Sequence, residues 1–222
     1  MDNLSNQDIV DADLADWRRL TQRLHARFRA GDPAVGADFV ADAVRAASAA
    51  GLADHLEVGF TSTHVDVRVA SRPAGEGLRA RADDVTLARL VSEVARRHEV
   101  TSAPGEVVEV ELALDTADDS RISPFWAALL TGDARNVVDD NSVVDPTGRL
   151  PSTWFQGTEP HQGPRQRWHL DLWVAPEAAA ARIMAAVEAG GSVVDDSEAP
   201  SFTVLADPDG NKVCVCTSLA RA

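Results

Sequence analysis

Residues 51–73, with the sequence GLADHLEVGFTSTHVDVRVASRP, decide the fold of the first half of this chain. Residues 64–70 alternate apolar and polar side chains, and the apolar members are Val65, Val67 and Val69. Successive residues of a strand point to opposite faces, so this pattern predicts a sheet with one buried and one solvated face. Residues 56–61 form a second predicted strand, directly before it along the chain.

Three side chains with possible chemistry lie at the two ends of this predicted pair of strands. Asp54 and His55 come just before it, and Arg72 comes just after it. Histidine titrates near neutral pH and is the most common general acid or base. We therefore expect any catalysis in the first half to depend on these residues.

Amphipathic helices are predicted on both sides of the segment. The first begins at Asp32-Pro33, since Asp accepts hydrogen bonds from free N–H groups and Pro suits the first helical turn. Its apolar stripe, which we expect to face the sheet, consists of Val35, Phe39, Val40, Ala43, Val44 and Ala47. Gly51 is its predicted end. A second helix over residues 83–98 and a strand over residues 24–29 complete an α+β pattern, a helix-backed antiparallel sheet.

The small, turn-forming residues 101–105 are predicted to link two domains, residues 1–103 and residues 104–222. A chain of 222 residues is long enough for two domains of about 100 residues, each with its own core.

The second half contains the same pattern twice, a strand, a helix and three short strands. The first copy has strands at 107–114, 137–138, 142–145 and 153–156 around a helix at 119–130. The second has strands at 166–175, 192–194, 202–206 and 212–217 around a helix at 176–189. A repeated βαβββ unit of about 50 residues explains this order.

Three short motifs in this half resemble the vicinal oxygen chelate superfamily of glyoxalase-like proteins. They are Phe125-Trp126, His169-Leu170-Asp171, and the turn sequence DPDGNK at residues 207–212. The resemblance implies paired modules that form a cupped sheet around a small-molecule site, often with a divalent metal. We expect Glu111, Trp154, His169 and Trp173 to contact that ligand.

The resemblance places the metal ligands of such proteins at Glu111, Gln156, His169 and Cys214. Metal sites usually need three or four good donors. Gln156 is a poor donor, and Cys214 lies between valines as a small apolar side chain would. We expect no metal or other cofactor, and a divalent metal at Glu111 and His169 remains the alternative.

The first half resembles pterin-4a-carbinolamine dehydratase over roughly residues 17–100. The resemblance is carried by Trp17, the strand at 24–28, Phe39, Asp54-His55-Leu56, Ser71-Arg72-Pro73 and Asp83-Asp84-Val85. It implies a helix-backed sheet, assembly through paired subunits, and removal of water from a 4a-hydroxytetrahydropterin.

The family's histidine motif is only partly retained. The family has His-His-Pro after the first helix and Ser-His-Asp after the second strand, where this chain has Asp54-His55-Leu56 and Ser71-Arg72-Pro73. His55 remains, with Asp54 as a weak base, whereas Arg72 stays protonated at neutral pH. We therefore expect a hydro-lyase whose activity is weak or lost. The alternatives are a non-catalytic small-molecule-binding protein that uses the glyoxalase-like cup, and a metal-dependent lyase or dioxygenase.

The overall charge and composition limit the partners. The net charge of −14 argues against nucleic acids and anionic membranes, which attract clustered basic residues. No apolar run approaches the roughly 18 residues of a membrane span, and the acidic start lacks the pattern of a secretory signal. Two cysteines, Cys214 and Cys216, are predicted to be free thiols. We expect a cytoplasmic protein with a small-molecule ligand, and a homodimer.

Overall fold

The computed structural model describes residues 4–71, 79–107, 111–138, 142–160, 170–174, 176–217 and 219. The chain divides into two compact units, Met1–Glu109 and Val110–Ala222. No helix in the described ranges has the length and apolar character needed to cross a bilayer.

The first unit contains a five-stranded antiparallel sheet. Its strands are β1 (Arg18–Leu20), β2 (Arg23–Arg29), β3 (Leu56–Phe60), β4 (His64–Val69) and β5 (Thr101–Ser102). The order across the sheet is β1-β2-β4-β3, and β5 pairs with β2 at Arg29 and Phe28. Residues 101–102, which were predicted to be part of a linker, are therefore the last strand of this sheet.

Helices cover one face of the sheet. They are α1 (Asn6–Asp11), α2 (Pro33–Ala49) and α3 (Ala82–Arg97), with short 3-10 helices at Ala53–His55 and Pro104–Glu106. The predicted start of α2 is confirmed, because the Asp32 side chain accepts a hydrogen bond of 2.8 Å from the Ala34 N–H. The predicted helix-backed antiparallel sheet is confirmed.

The core of the first unit lies between this sheet and α2 and α3. Val65, Val67 and Val69 are buried as predicted. The largest fully buried side chains of this core are Phe28, Phe39, Leu24 and Leu87. The predicted stripe of α2 was too wide, since Val35 and Val44 are exposed. Small residues at Gly36, Ala43 and Ala47 form the buried side of that helix together with Phe39.

The second unit consists of two βαβββ modules, which confirms the predicted repeat. The first comprises β6 (Glu111–Thr116), α4 (Asp119–Thr131), β7 (Val137–Val138), β8 (Ser142–Val143) and β9 (Ser152–Gly157). The second comprises β10 (Leu170–Trp173), α5 (Pro176–Glu188), β11 (Ser192–Asp195), β12 (Phe202–Ala206) and β13 (Lys212–Cys216). In each module the first strand runs parallel to the last, with sheet orders β6-β9-β8-β7 and β10-β13-β12-β11.

Hydrogen bonds to the side chain of Asp207 explain why the turn between β12 and β13 begins with this residue. Its carboxylate accepts hydrogen bonds from the backbone N–H groups of Asp209 (2.9 Å) and Asn211 (2.8 Å). It also accepts one from the indole N–H of Trp126 on α4, at 3.0 Å. Two of the motifs that indicated a glyoxalase-like fold therefore contact each other and hold the turn against the helix.

Candidate functional site

The end of α2 determines the position of His55. Gly51 has a φ of +72°, and the Leu52 N–H bonds to the Ala47 carbonyl at 2.9 Å, so the helix ends in a left-handed turn. One turn of 3-10 helix follows and ends at His55. The His55 carbonyl then accepts a hydrogen bond of 3.1 Å from Ala70. This places His55 next to the end of β4, where Ser71 follows.

Asp84 lies on the other side of this junction and is fully buried, with 0% exposure. It occupies the third position of α3, where the helix dipole favours a negative charge. Its Oδ2 accepts hydrogen bonds from the Ser71 N–H (3.1 Å), the Ser71 hydroxyl (2.8 Å) and the Arg81 N–H (2.7 Å). These donors compensate for the loss of water around the carboxylate.

The remaining oxygen of Asp84 contacts His55. The distance from His55 Nδ1 to Asp84 Oδ1 is 2.8 Å, and the Ser71 hydroxyl lies 3.3 Å from the same nitrogen. With donors already converging on its other oxygen, the carboxylate acts as an acceptor, and Nδ1 therefore carries a proton. This leaves Nε2 as the nitrogen that exchanges protons, and no described residue bonds to it. The side chain of His55 is 22% exposed, so a ligand has access to it.

Of the other two residues predicted for this site, Asp54 belongs to the described part of the chain. Asp54 is exposed, and no hydrogen bond or ion pair connects it to His55 within the described part of the chain. Arg72 lies outside the described residues.

Sequence reasoning missed two members of this cluster, Asp84 and Ser71. Both belong to motifs that carried the family resemblance, but neither was assigned a role in the site from the sequence. An acid at the third helical position next to apolar Val85 can be buried, and that was the available signal.

Three of the four candidate ligand contacts of the second unit, Glu111, Trp154 and Trp173, lie on its strands. Trp154 is half-buried on β9, between buried Thr153 and Phe155, and its strand partners are Ala113 and Ser142. The alternation of β9 puts Trp154 on the face opposite to these two neighbours. Glu111 is the first residue of β6, and Trp173 is the last residue of β10, where it pairs with Cys216. For Glu111 and Trp173 the structure describes only the backbone. His169 lies outside the described residues.

A metal site is not assembled by the described side chains. Within the described ranges, no group of three or more His, Cys, Asp or Glu side chains is arranged to hold a metal ion. Cys214 and Cys216 are both buried, and no disulfide joins them.

Comparison with known proteins found one similarity in each half of the chain. Residues 111–216 match the family described as "Glyoxalase-like domain". The N-terminal part is similar to a solved structure titled "transcriptional coactivator/pterin dehydratase" from Brucella melitensis. The identity is 20%, the TM-score is 0.37, and the match covers 42% of this chain and 99% of that one. No curated protein matches the chain. With their two βαβββ modules, residues 111–216 are a glyoxalase-like domain.

Proposed function

We propose that the first unit eliminates water from a 4a-hydroxytetrahydropterin, with His55 as the proton-transferring group. The observation that carries this proposal is the pairing of a half-buried imidazole with a fully buried carboxylate, Asp84, at 2.8 Å. A carboxylate that bonds to one ring nitrogen fixes the orientation of the ring and leaves the other nitrogen for chemistry.

The reaction balances with a single histidine. Elimination breaks the C4a–O bond, removes the proton from N5 of the pterin and releases one water. Nε2 of His55 takes the N5 proton, and the same proton then goes to the departing hydroxyl. Because no net proton is gained or lost, one imidazole serves as base and then as acid. This accounts for a site in which only one histidine of the family motif remains.

Asp84 supports both steps through His55. When Nε2 takes up the proton, the ring becomes a cation, and the adjacent buried carboxylate stabilises that charge. Ser71 holds the carboxylate in place through its N–H and its hydroxyl. Asp84 and Ser71 are thus positioning residues, and His55 is the catalytic residue of the proposal. Asp54 stays outside the proton path, because its exposed carboxylate is not bonded to His55.

The proposal is tested by the rate at which the purified protein dehydrates a 4a-hydroxytetrahydropterin. We expect the wild-type protein to exceed the rate in buffer and His55→Ala to lose about 10²- to 10⁴-fold of that enhancement, the usual contribution of a general acid–base group. His98→Ala is the matched control, since His98 also contacts a carboxylate at 2.8 Å. That carboxylate belongs to Asp42 on α2, and His98 follows the last turn of α3. A His98 variant as slow as the His55 variant, or a wild-type rate equal to that in buffer, contradicts the proposal.

A second candidate function is binding of a small molecule by the glyoxalase-like domain without chemistry. Trp154 favours it, because this large aromatic side chain is half-exposed on the face of β9 that Thr153 and Phe155 do not occupy. Half-exposed aromatic side chains often line ligand sites.

This candidate is tested by melting shifts with a panel of small aromatic and dicarbonyl compounds. A binding role predicts shifts that disappear in Trp154→Ala and persist in Phe60→Ala, which removes an exposed aromatic side chain of the first unit. Compounds that shift all three proteins equally would argue against a site at Trp154.

A further inference from the structure

The face of the five-stranded sheet opposite to its helices carries charged side chains. The valines of β4 point into the core, so Asp66 and Arg68, which alternate with them, lie on the other face. Arg27 on β2 pairs with Asp66 from one side, and Gly59 on β3 pairs with it from the other. These four residues therefore belong to one surface.

Every arginine of β2 has a carboxylate partner on this surface. The pairs are Arg23–Glu57, Arg27–Asp66 and Arg29–Glu106. Arg27 binds both oxygens of Asp66, through hydrogen bonds of 2.6 and 2.7 Å. The charges of these three arginines are thus compensated within the protein.

Arg68 on β4 has no comparable partner among the described residues. Its Nε lies 3.5 Å from an oxygen of Glu57, and that oxygen already accepts a hydrogen bond of 2.6 Å from Arg23. No nitrogen of Arg68 makes a hydrogen bond within the described part of the chain. The side chain is 29% exposed, so a solute can reach the guanidinium. A planar guanidinium of this kind presents paired N–H donors that match the two oxygens of a carboxylate.

A cavity of about 200 Å³ lies beside Arg68. Its wall also includes Arg27, Gly59, Asp66 and Val107. A Cβ added at Gly59 would meet nothing closer than Asp66 Cβ at 3.9 Å, so the absence of a side chain there leaves the cavity open. Pockets for drug-sized molecules measure about 300–1,000 Å³, and the smaller volume here suits a ligand of only a few heavy atoms.

The charges in the wall select a monoanion. The ionised side chains are Arg27, Arg68 and Asp66, which leaves one positive charge in excess. His25 adds none, because burial, followed by the charges of Arg68 and Arg23, lowers its pKa to about 4. A second negative group on the ligand would lie near the carboxylate of Asp66 and be repelled by it.

We propose that this cavity binds a short-chain aliphatic monocarboxylate, with both carboxylate oxygens on the guanidinium of Arg68 and the hydrocarbon chain against Gly59 and Val107. The ligand gives Arg68 the bidentate partner that Arg27 already has in Asp66. His25 only closes the wall and makes no bond to the ligand. The cavity wall includes neither His55 nor Asp84, so this site does not rest on the proposed dehydration.

The test compares three ligands on the full chain, with butanoate as the probe. Butanamide has the same shape without the charge, and succinate adds a second carboxylate. Nitrogen-15 spectra of the arginine side chains report on the Nε–H group of Arg68 directly. We expect butanoate to shift this resonance with saturation, and butanamide and succinate to bind at least about tenfold more weakly. The proposal is overturned if the shift does not saturate, or if either of the other two ligands binds as well as butanoate.

Variants locate the binding within the sheet. Arg68→Gln removes the guanidinium, and Gly59→Val fills the open side of the cavity. Each should weaken butanoate binding at least about tenfold while the melting temperature stays near that of the wild type. Arg29→Gln is the matched control, since Arg29 lies on the same face, is paired with Glu106 and is not part of the cavity wall. Equal butanoate affinities in Arg68→Gln and Arg29→Gln would mean that the anion responds only to the general charge of this face, and would overturn the proposal.

Discussion

Replacing Asp84 by asparagine probes the candidate site most informatively, since it removes one charge and almost no volume. Oδ2 of Asp84 accepts three hydrogen bonds, two from Ser71 and one from Arg81. Bonds to a charged acceptor contribute about 1.5–3 kcal/mol each, and bonds to a neutral one about 0.5–1.5 kcal/mol. The three bonds together should weaken by about 3 kcal/mol, and relief from burying a charge offsets part of this. We expect a net loss of about 2 kcal/mol in the free energy of unfolding.

The same substitution should reverse the proton positions on His55. If the amide oxygen keeps the three donors, the amide NH₂ faces Nδ1 and donates to it. The ring proton then moves to Nε2, and Nε2 loses its basic lone pair. We expect nitrogen-15 spectra to show the exchanged tautomer, and turnover of a 4a-hydroxytetrahydropterin to fall by about 10²-fold or more. Urea denaturation, followed by the amide resonances of the first unit, measures the stability change.

Asp83→Asn is the matched control for this experiment. Asp83 precedes Asp84 in the same helical turn, so its loss removes the same charge next to the same helix dipole. Only the dipole contribution should be lost, about 0.3–1 kcal/mol, and the His55 tautomer should not change. If Asp84→Asn resembles Asp83→Asn in stability and keeps the wild-type tautomer, the buried carboxylate does not orient His55 and the reasoning fails.

Other predictions concern His25, Trp126 and Asp145. Because the pKa of His25 is about 4 in the folded protein and 6.5 otherwise, the unfolded chain takes up the proton first as the pH falls through this window. Between pH 7 and pH 5 the wild type should therefore lose about 2 kcal/mol more unfolding free energy than His25→Gln, and equal losses would contradict this. Trp126→Phe removes the indole bond to Asp207 and should destabilise the second unit by about 1–3 kcal/mol in denaturation; an unchanged midpoint would refute that role. Asp145→Ala removes the acceptor of four hydrogen bonds in the loop after β8. It should lower the melting temperature more than Asp119→Ala does, since half-buried Asp119 accepts one bond, from the Ser120 N–H.

Much of the fold was predictable because local rules and tertiary packing agree in this chain. Asp32 and Pro33 start α2 as expected, and the valines of β4 are buried as their alternation predicts. β12 has the predicted bounds, Phe202–Ala206. In each case one short-range pattern, a cap or an alternation, is sufficient to determine the structure.

The remainder depends on contacts between segments that are distant along the chain. Strand β5 has two residues, too few for any periodicity, and exists only because β2 offers it a partner. The alternation along β2 predicts a solvated side chain at His25, but arginines of β2 and of the neighbouring strand β4 cover it. Asp84 has the local pattern of an ordinary first-turn acid, and its burial follows from the approach of Ser71 and His55. Each of these features needs a partner that no local pattern identifies.

The role of His55 in proton transfer is tested most directly by the rates at which the wild-type protein and His55→Ala, at equal concentrations, dehydrate a 4a-hydroxytetrahydropterin. We expect a wild-type rate clearly above that in buffer and a His55→Ala rate that returns toward it. Equal rates for the two proteins, whether fast or at the level of buffer, would contradict the assignment of His55 as the group that moves the proton.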